Sequence, residues 1–389
     1  MVEIAPLLAW LQGPGRRLID TETFVEALGE RLVEIGLPID RITTGIPMLH
    51  PQIASSSVVW EPERLTHERQ WQLTSLTRSM YERSPLYVVY RGDGPVRVRV
   101  TPKPEADEFG IIPDLRQEGF TDYLALPAPF SDGTIKAMTF ATRRDGGFAD
   151  AEIATLTALM PQLASLLEIQ TLRRTARVLL DTYVGRISGQ RVLQGQIKRG
   201  QGEDIRAIIW FSDLRGFTEL SDALSNEELI AVLNDYFGAL TRSVEEQQGE
   251  VLKFIGDAML AIYPIATASS GRRAAQRALA SARAAQARIA DVNQARRHTG
   301  RALIQWGLAL HIGEVHYGNI GGETRLDFTV IGPAVNLAAR LQSLAAGLGE
   351  SCIISDDFAQ LLRDRAELRD LGTHVLKGLA DERQVFGLA

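Results

Sequence analysis

The chain has 389 residues, of which 45% are hydrophobic, 23% charged and 7% aromatic. This length exceeds the roughly 250 residues at which a single hydrophobic core usually stops growing, so the sequence predicts two domains and a connector. The composition excludes a disordered or low-complexity chain, and the formal charge of −6 argues against nucleic acid as a partner, because nucleic-acid contacts need clustered Lys and Arg.

Residues 1–170 are predicted to form an antiparallel sheet flanked by helices. Apolar residues recur at helical spacing over residues 23–35, and Gly36 follows as a stop signal. Short β-rich runs follow at residues 42–49, 57–60, 86–90, 96–100, 123–127 and 135–142. Turn sequences at residues 92–94 and 131–133 stand where hairpins would join these strands.

A long apolar stripe begins in the next part of the chain. Its members recur every three or four residues: Leu156, Leu159, Leu163, Leu166, Ile169, Leu172, Ala176, Leu179, Tyr183 and Ile187. A stripe of this length predicts a helix that pairs with its copy in a second chain, and Pro161 predicts a kink or break in it. Glycines between residues 185 and 202 loosen the chain, so we expect a helical linker over residues 171–204.

Residues 205–389 are predicted to form an α+β domain in which helices pack on one sheet. Strand-like runs lie at residues 205–211, 251–255, 258–263, 304–312, 316–320 and 328–331. Helical patterns lie at residues 227–244, 269–297 and 334–344.

Two aspartates in this domain each follow an apolar, strand-like run. Asp213 lies in FSDLRGFT and Asp257 lies in KFIGDAML. Carboxylates at strand ends can converge on a hard cation, and Mg²⁺ is commonly held by few carboxylates together with water and substrate phosphates. On spacing alone, turn or cap aspartates are the more frequent explanation.

The surrounding motifs change that balance. Three of them occur in order between residue 205 and the C-terminus: FSDLRGFT, KFIGD and LDFTVIGPAVNLAARL. Together they closely resemble the catalytic domain of class III nucleotidyl cyclases. The resemblance implies a ferredoxin-like α+β fold and a reaction that forms a 3′,5′-cyclic nucleotide and pyrophosphate. It also implies two Mg²⁺ or Mn²⁺ ions per active site, held by Asp213, Asp257 and the backbone carbonyl of Leu214.

The resemblance also assigns substrate contacts. It places phosphate oxygens on backbone amides of the segment containing Gly216, Phe217 and Thr218, where the chain turns into a helix. It places the base against Lys253 and Thr329, as in the bacterial subclass with Thr at the second position. A lysine donor and a hydroxyl acceptor complement adenine, whereas the N1–H of guanine would face the lysine as a second donor. ATP is therefore the predicted substrate, and Asp327 is a second-ranked candidate for this part of the site.

Asn336 and Arg340 lie four residues apart and are expected on one helix face. The resemblance implies that the asparagine orients the ribose and that the arginine stabilises charge on the transferring phosphoryl group. Lys377, in HVLKGLADERQVFGL, matches a family lysine that contacts the terminal phosphates. The family builds each site from two catalytic domains, so a chain with one domain is expected to form a homodimer with two equivalent sites.

The N-terminal half carries a weaker resemblance. Residues 122–164, DYLALPAPFSDGTIKAMTFATRRDGGFADAEIATLTALMPQLA, look like the last strands and closing helix of a GAF domain. This implies a sensor over residues 1–170 that binds an unidentified small molecule. A purely structural dimerisation module is the alternative.

The sequence therefore predicts a dimeric, metal-dependent adenylate cyclase controlled by a GAF-like module in signal transduction. A guanylate cyclase and a catalytically idle scaffold that binds a signal are the alternatives. No apolar run approaches the roughly 20 residues that a bilayer span needs, and the single cysteine, Cys352, fits a reducing compartment. We expect a soluble cytoplasmic protein.

Overall fold

A computed structural model describes residues 3–47, 53–72, 74–104, 107–376 and 381–388. The chain divides into two compact units, Met1–Leu179 and Leu180–Ala389. The predicted linker, residues 171–204, comprises the last part of a long helix, a short second helix and the start of the first strand of the second unit. Among the described helices, none combines the length and apolar character needed to cross a bilayer.

The first unit is built around a six-stranded antiparallel sheet. Its helices are α1 (Ala5–Gln12), α2 (Thr21–Glu34), α3 (Ser75–Glu82), α4 (Pro85–Tyr90), α5 (Ile112–Gln117) and α6 (Asp150–Tyr183), with a 3-10 turn at Gly15–Arg17. Its strands are β1 (Arg41–Pro47), β2 (Ile53–Trp60), β3 (His67–Gln72), β4 (Val96–Arg99), β5 (Asp122–Pro129) and β6 (Ile135–Thr142), ordered β3-β2-β1-β6-β5-β4. One core contains residues of α1, α2 and α6, and a second contains residues of α4 and α5.

Residues 86–90, predicted as a strand, form helix α4 instead. The Ser84 side chain caps this helix by accepting from the backbone N–H of Leu86 at 3.1 Å, and Pro85 occupies the first helical position. A run of five apolar residues is too short to show whether its periodicity is that of a strand or of a helix. The Ser84 cap therefore determines that this segment is helical. The turn at residues 92–94 therefore joins no hairpin, whereas the turn at residues 131–133 joins β5 to β6 as predicted.

The apolar stripe of α6 divides into two parts. Leu156, Leu159 and Leu163 are buried in the core of their own unit. The later members Leu172, Ala176, Leu179 and Tyr183 are exposed. Of the predicted kink or break at Pro161, the break is not found, because α6 continues through this residue, and the kink stays a prediction. Buried leucines on both sides hold the helix in spite of one missing backbone hydrogen bond.

The second unit is an α+β domain with an eight-stranded sheet. Its helices are α7 (Arg186–Leu193), α8 (Phe217–Ala223), α9 (Asn226–Glu246), α10 (Ala268–His298), α11 (Pro333–Gly347) and α12 (Asp356–Ala359). Its strands are β7 (Gly202–Leu214), β8 (Glu250–Ile255), β9 (Ala258–Ile265), β10 (Trp306–Gly321), β11 (Leu326–Ile331), β12 (Cys352–Ser355), β13 (Leu368–Val375) and β14 (Glu382–Leu388). The order is β13-β14-β12-β10-β7-β9-β8, with β11 paired to β10. All pairs are antiparallel except β10 with β12.

The predicted strands 304–312 and 316–320 form one strand, β10. It pairs with β7 from Trp306 opposite Leu214 to Gly318 opposite Gly202. Gly313 lies inside this strand, where a Cβ atom would come within 2.4 Å of the Ala334 side chain. The glycine is therefore a point of close approach between β10 and α11, not a strand end.

Strand β7 separates two cores. Ile208 and Trp210 belong to the core that contains residues of α9 and α10. Ala207 and Ile209 belong to the core that contains α11 residues. Since side chains alternate along a strand, Asp213 shares the parity of the α11-facing residues.

Candidate active site

Asp213 and Asp257 come together at one end of the sheet. Strands β7 and β9 are antiparallel neighbours with Ser212 opposite Met259, so the residue after Ser212 lies beside the turn before β9. Asp257 occupies that turn after Gly256, whose φ of 64° is readily adopted by glycine. The two carboxyl groups lie within hydrogen-bonding reach of each other.

The electrostatics of this pair favour a bound cation. Burial, followed by the hydrogen bond and charge of Asp257, raises the pKa of Asp213 to about 6. Among the described residues, no Lys, Arg or His forms an ion pair with either carboxylate, and no group of three or more His, Cys, Asp or Glu surrounds them. Two carboxylates without a third His, Cys, Asp or Glu side chain among the described residues match a Mg²⁺-type site completed by backbone carbonyl, water and phosphate oxygens.

The loop after Asp213 leads into helix α8. Gly216 is the N-cap residue that precedes the helix, with a left-handed φ of 66°, and it offers no side chain to cap the first turn. The amide groups of this turn are therefore available to an external acceptor. Arg215 anchors the loop from the other side: its backbone N–H donates to the carbonyl of Gln305 at 2.8 Å, and its guanidinium donates to the carbonyl of Glu350.

Of the residues predicted to recognise the base, Lys253 and Asp327 lie close together. The Lys253 Nζ atom lies 3.8 Å from Asp327 Oδ2, with side chains 33% and 55% exposed. Asp327 and Thr329 are two residues apart on β11 and so share a strand face. Thr329 is 2% exposed, and its hydroxyl has no hydrogen-bond partner within the described chain.

Asn336 and Arg340 lie one turn apart on α11. Pro333 occupies the first turn of this helix, while Ala334, Ala338 and Leu341 are buried. Asn336 is exposed and Arg340 is half-buried. The spacing places both on one helix side, as the sequence predicted.

A family comparison identifies this unit. Residues 202–388 match the family model described as adenylate and guanylate cyclase catalytic domain. Residues 202–388 form a class III nucleotide cyclase domain. The predicted cyclase resemblance and the α+β fold class are thereby confirmed, whereas the GAF-like resemblance of the first unit stays a prediction. The family description names both adenylate and guanylate cyclases.

Individual cyclases are similar to part of this chain. Adenylate cyclase 1 of Rhizobium meliloti is 27% identical over 263 residues, 66% of this chain and 37% of that protein. An adenylate cyclase of Anabaena cylindrica is 29% identical over 221 residues, 54% of this chain and 42% of that protein. The crystal structure of the adenylyl cyclase CyaB from P. aeruginosa is 28% identical, covers 49% of this chain and 96% of that chain, and has a TM-score of 0.45. The chain spans less than half the length of the curated relatives.

Lys377 lies outside the described residues. Two features of the cyclase domain were missed by sequence reasoning: the Arg215 anchor, and a buried polar cluster of Ser188, Glu250 and Tyr317. Both depend on contacts between distant parts of the chain. The only sequence signal is a charged or hydroxyl residue beside an apolar run, which is too common to be informative.

Proposed function

We propose that this chain is an adenylate cyclase that converts ATP to 3′,5′-cyclic AMP and pyrophosphate as a homodimer. The observation that carries the proposal is the Asp213–Asp257 carboxylate pair, which lies in a cyclase domain without a compensating cation from the described chain. In the reaction, the ribose 3′-oxygen bonds to the α-phosphorus while the bond from that phosphorus to the pyrophosphate oxygen breaks.

Asp213, Asp257 and the carbonyl of Leu214 would hold two divalent cations, Mg²⁺ or Mn²⁺. When bound, such cations polarise the attacking hydroxyl and neutralise the triphosphate. The uncapped first turn of α8, with Gly216, Phe217 and Thr218, would donate backbone N–H groups to phosphate oxygens.

Helix α11 would supply the groups that act on the ribose and the transferring phosphoryl group. Asn336 would orient the ribose by hydrogen bonding, and Arg340 would place a fixed positive charge near the oxygens that become more negative in the transition state. Preorganised charge of this kind contributes about 3 to 4 kcal/mol. Lys377 is proposed, on its motif alone, for the terminal phosphates.

The base-recognition residues support ATP over GTP. The Thr329 hydroxyl is buried and has no hydrogen-bond partner among the described residues, so it can accept a hydrogen bond from the adenine 6-amino group. The Lys253 ammonium lies 3.8 Å from Asp327 Oδ2, and with three N–H donors it would also donate to adenine N1. A guanine N1–H would leave two donors facing each other, at a cost of about 1 to 3 kcal/mol.

Replacing Lys253 by Glu is expected to raise the KM for ATP at least about tenfold, because an acceptor then faces the adenine N1 acceptor and repels Asp327. Steady-state kinetics with ATP and GTP measure the change. Lys198→Glu is the matched control, since it makes the same charge change at an exposed lysine of the same unit. ATP kinetics unchanged in Lys253→Glu would contradict the base-recognition assignment.

The direct test of the activity uses the purified full chain. It is incubated with ATP or GTP in Mg²⁺ or Mn²⁺, and cyclic products are identified by mass spectrometry. Cyclic AMP from ATP alone supports the proposal. Cyclic GMP from GTP supports the guanylate cyclase alternative, and no product from either nucleotide supports the scaffold.

We further propose that the first unit is a GAF-like sensor whose state is carried to the cyclase domain by α6. Its antiparallel sheet with helices and two cores is compatible with that assignment. The exposed part of the α6 stripe has the four-three-four spacing of a coiled-coil seam: Leu172, Ala176, Leu179 and Tyr183. A second copy of α6 would cover it.

A further inference from the structure

A buried polar cluster lies inside the cyclase domain. Ser188, Glu250 and Tyr317 are 0%, 4% and 0% exposed. The Glu250 Oε1 atom accepts from the backbone N–H of Ser188 at 3.0 Å and from its hydroxyl at 2.7 Å. The Tyr317 hydroxyl donates to both carboxylate oxygens at 2.9 Å. Among the described residues, no Lys, Arg or His forms an ion pair with Glu250, so its carboxylate depends on these donors.

The cluster links β8, the strand of Lys253, to β10, which pairs with the strand of Thr329. Glu250 begins β8, three residues before Lys253. Tyr317 lies on β10, and its ring packs edge-on against Phe328 of β11 at a centroid distance of 4.9 Å. The next residue of β10, Gly318, is opposite Thr329. Glu250 and Tyr317 therefore connect the strand of Lys253 to the strand of Thr329.

The third member of the cluster belongs to α7, the short helix that follows α6 in the chain. Val184 and Val192, on either side of Ser188, pack on the same core as Tyr317 and Phe328. The Arg191 guanidinium lies 4.6 Å from the centre of the Tyr317 ring. A displacement of α7 would remove two of the donors to Glu250, which is costly for a buried carboxylate.

We propose that Ser188, Glu250 and Tyr317 are positioning residues that fix Lys253 relative to Thr329 and make this arrangement depend on the position of α7. The inference rests on the proposed function, in which those two residues recognise adenine. It assigns α7 as the element through which the preceding helix alters nucleotide affinity and selectivity.

Tyr317→Phe tests the inference, because it removes the hydroxyl but keeps the ring against Phe328. We expect the KM for ATP to rise about fivefold, with kcat within about twofold and a lower preference for ATP over GTP. The matched control is Tyr263→Phe. Tyr263 is also fully buried, and its hydroxyl bonds to Ser281 at 2.5 Å in the core that contains α9 and α10 residues.

If Tyr317 has a purely structural role, both tyrosine variants should be less stable to heat, and the KM for ATP and the preference for ATP over GTP should be the same in the two variants. That result would overturn the inference. A second readout is the double variant Ser188→Ala with Tyr317→Phe. Its effect on KM should differ from the product of the single effects, because both residues donate to one carboxylate. Strict multiplicativity would count against the shared arrangement.

Lys253→Ala, measured alongside the tyrosine variants, distinguishes failure of the base-recognition assignment from failure of the positioning role. If it changes ATP selectivity while Tyr317→Phe does not, the positioning role fails and base recognition stands. If Lys253→Ala does not change ATP selectivity, the base-recognition assignment fails. Hydrogen exchange of the full chain then tests whether Tyr317 couples α7 to β8. Tyr317→Phe should then speed exchange in residues 184–193 and 250–255 more than Tyr263→Phe does, and equal exchange would overturn the inference.

Discussion

Asp257→Asn is expected to reduce cyclase turnover by at least about a thousandfold and, at pH 7, to raise the melting temperature of the metal-free protein. Turnover falls because one carboxylate of the proposed cation site is lost. Stability rises because the remaining carboxylate, Asp213, no longer lies against a second negative charge. Relief of that repulsion, screened by solvent, is worth about 1 kcal/mol, or roughly 2 to 4 °C for a domain of this size.

The pH dependence of the stability gain identifies its cause. Burial and Asp257 raise the pKa of Asp213 to about 6, from 3.8 as its ordinary value. Between these values the folded protein holds a proton that the unfolded chain has released, so this site destabilises the fold increasingly as the pH rises from about 4 to about 6, and the destabilisation levels off at higher pH. The difference in melting temperature between Asp257→Asn and the wild type should therefore be small near pH 4 and should grow through pH 6.

Metal addition provides a second test, in which the wild type should gain more stability than Asp257→Asn. At pH 7, Mg²⁺ or Mn²⁺ should raise the melting temperature of the wild type, because a ligand of the folded state stabilises it, and should do so much less in Asp257→Asn. Asp291→Asn, at an exposed position on α10, is the control for the change in net charge. A gain in melting temperature in Asp257→Asn that does not vary with pH would contradict the carboxylate-pair explanation. An equal rise in melting temperature on metal addition in the wild type and in Asp257→Asn would also contradict it.

The parts of this site that could be predicted were those encoded by neighbouring residues. Asp213 was predictable because it ends an apolar strand, and Asn336 with Arg340 because a helix repeats every 3.6 residues. Their proposed roles come from the resemblance of the motifs to cyclases, not from these spacings. The pairing of Asp213 with Asp257 also needed the register of β7 and β9, which short apolar runs do not determine.

The parts that could not be predicted depend on contacts between distant segments. Ser188 lies in a glycine-containing linker and Tyr317 in a long strand, 129 residues apart, yet both contact Glu250. In the first unit, the run at residues 86–90 fits a strand or a helix equally well, and the Ser84 cap decides between them. Local patterns thus predict elements and motifs, whereas buried polar partners require the packed structure.

Exposed apolar residues lie beside the residues proposed for base recognition and metal binding. Phe254 and Ile255, between Lys253 and the turn of Asp257, are 50% and 47% exposed, and Ile331, two residues after Thr329, is 50% exposed. Exposed apolar patches next to functional side chains are typical of interaction surfaces. These exposed side chains fit a site completed by a second copy.

Mixing two inactive variants is therefore expected to restore activity. If one protomer supplies the metal-binding aspartates and its partner supplies the residues of α11, a heterodimer of Asp257→Asn and Arg340→Ala contains one intact site and one doubly defective site. Random pairing makes half of the dimers mixed, so activity should recover to about a quarter of the wild-type value. Co-expression with two affinity tags and a cyclic AMP assay measure the recovery.

The matched control for this experiment is Asp257→Asn mixed with Asp213→Asn. Both changes affect the metal-binding set, so each site of that heterodimer receives one defective aspartate pair and activity should stay at the level of the single variants. Recovery in the first mixture alone requires that the aspartates and Arg340 of one site come from different chains. Absence of recovery in both mixtures, with heterodimers present, would place the whole site within one chain and contradict the shared-site proposal.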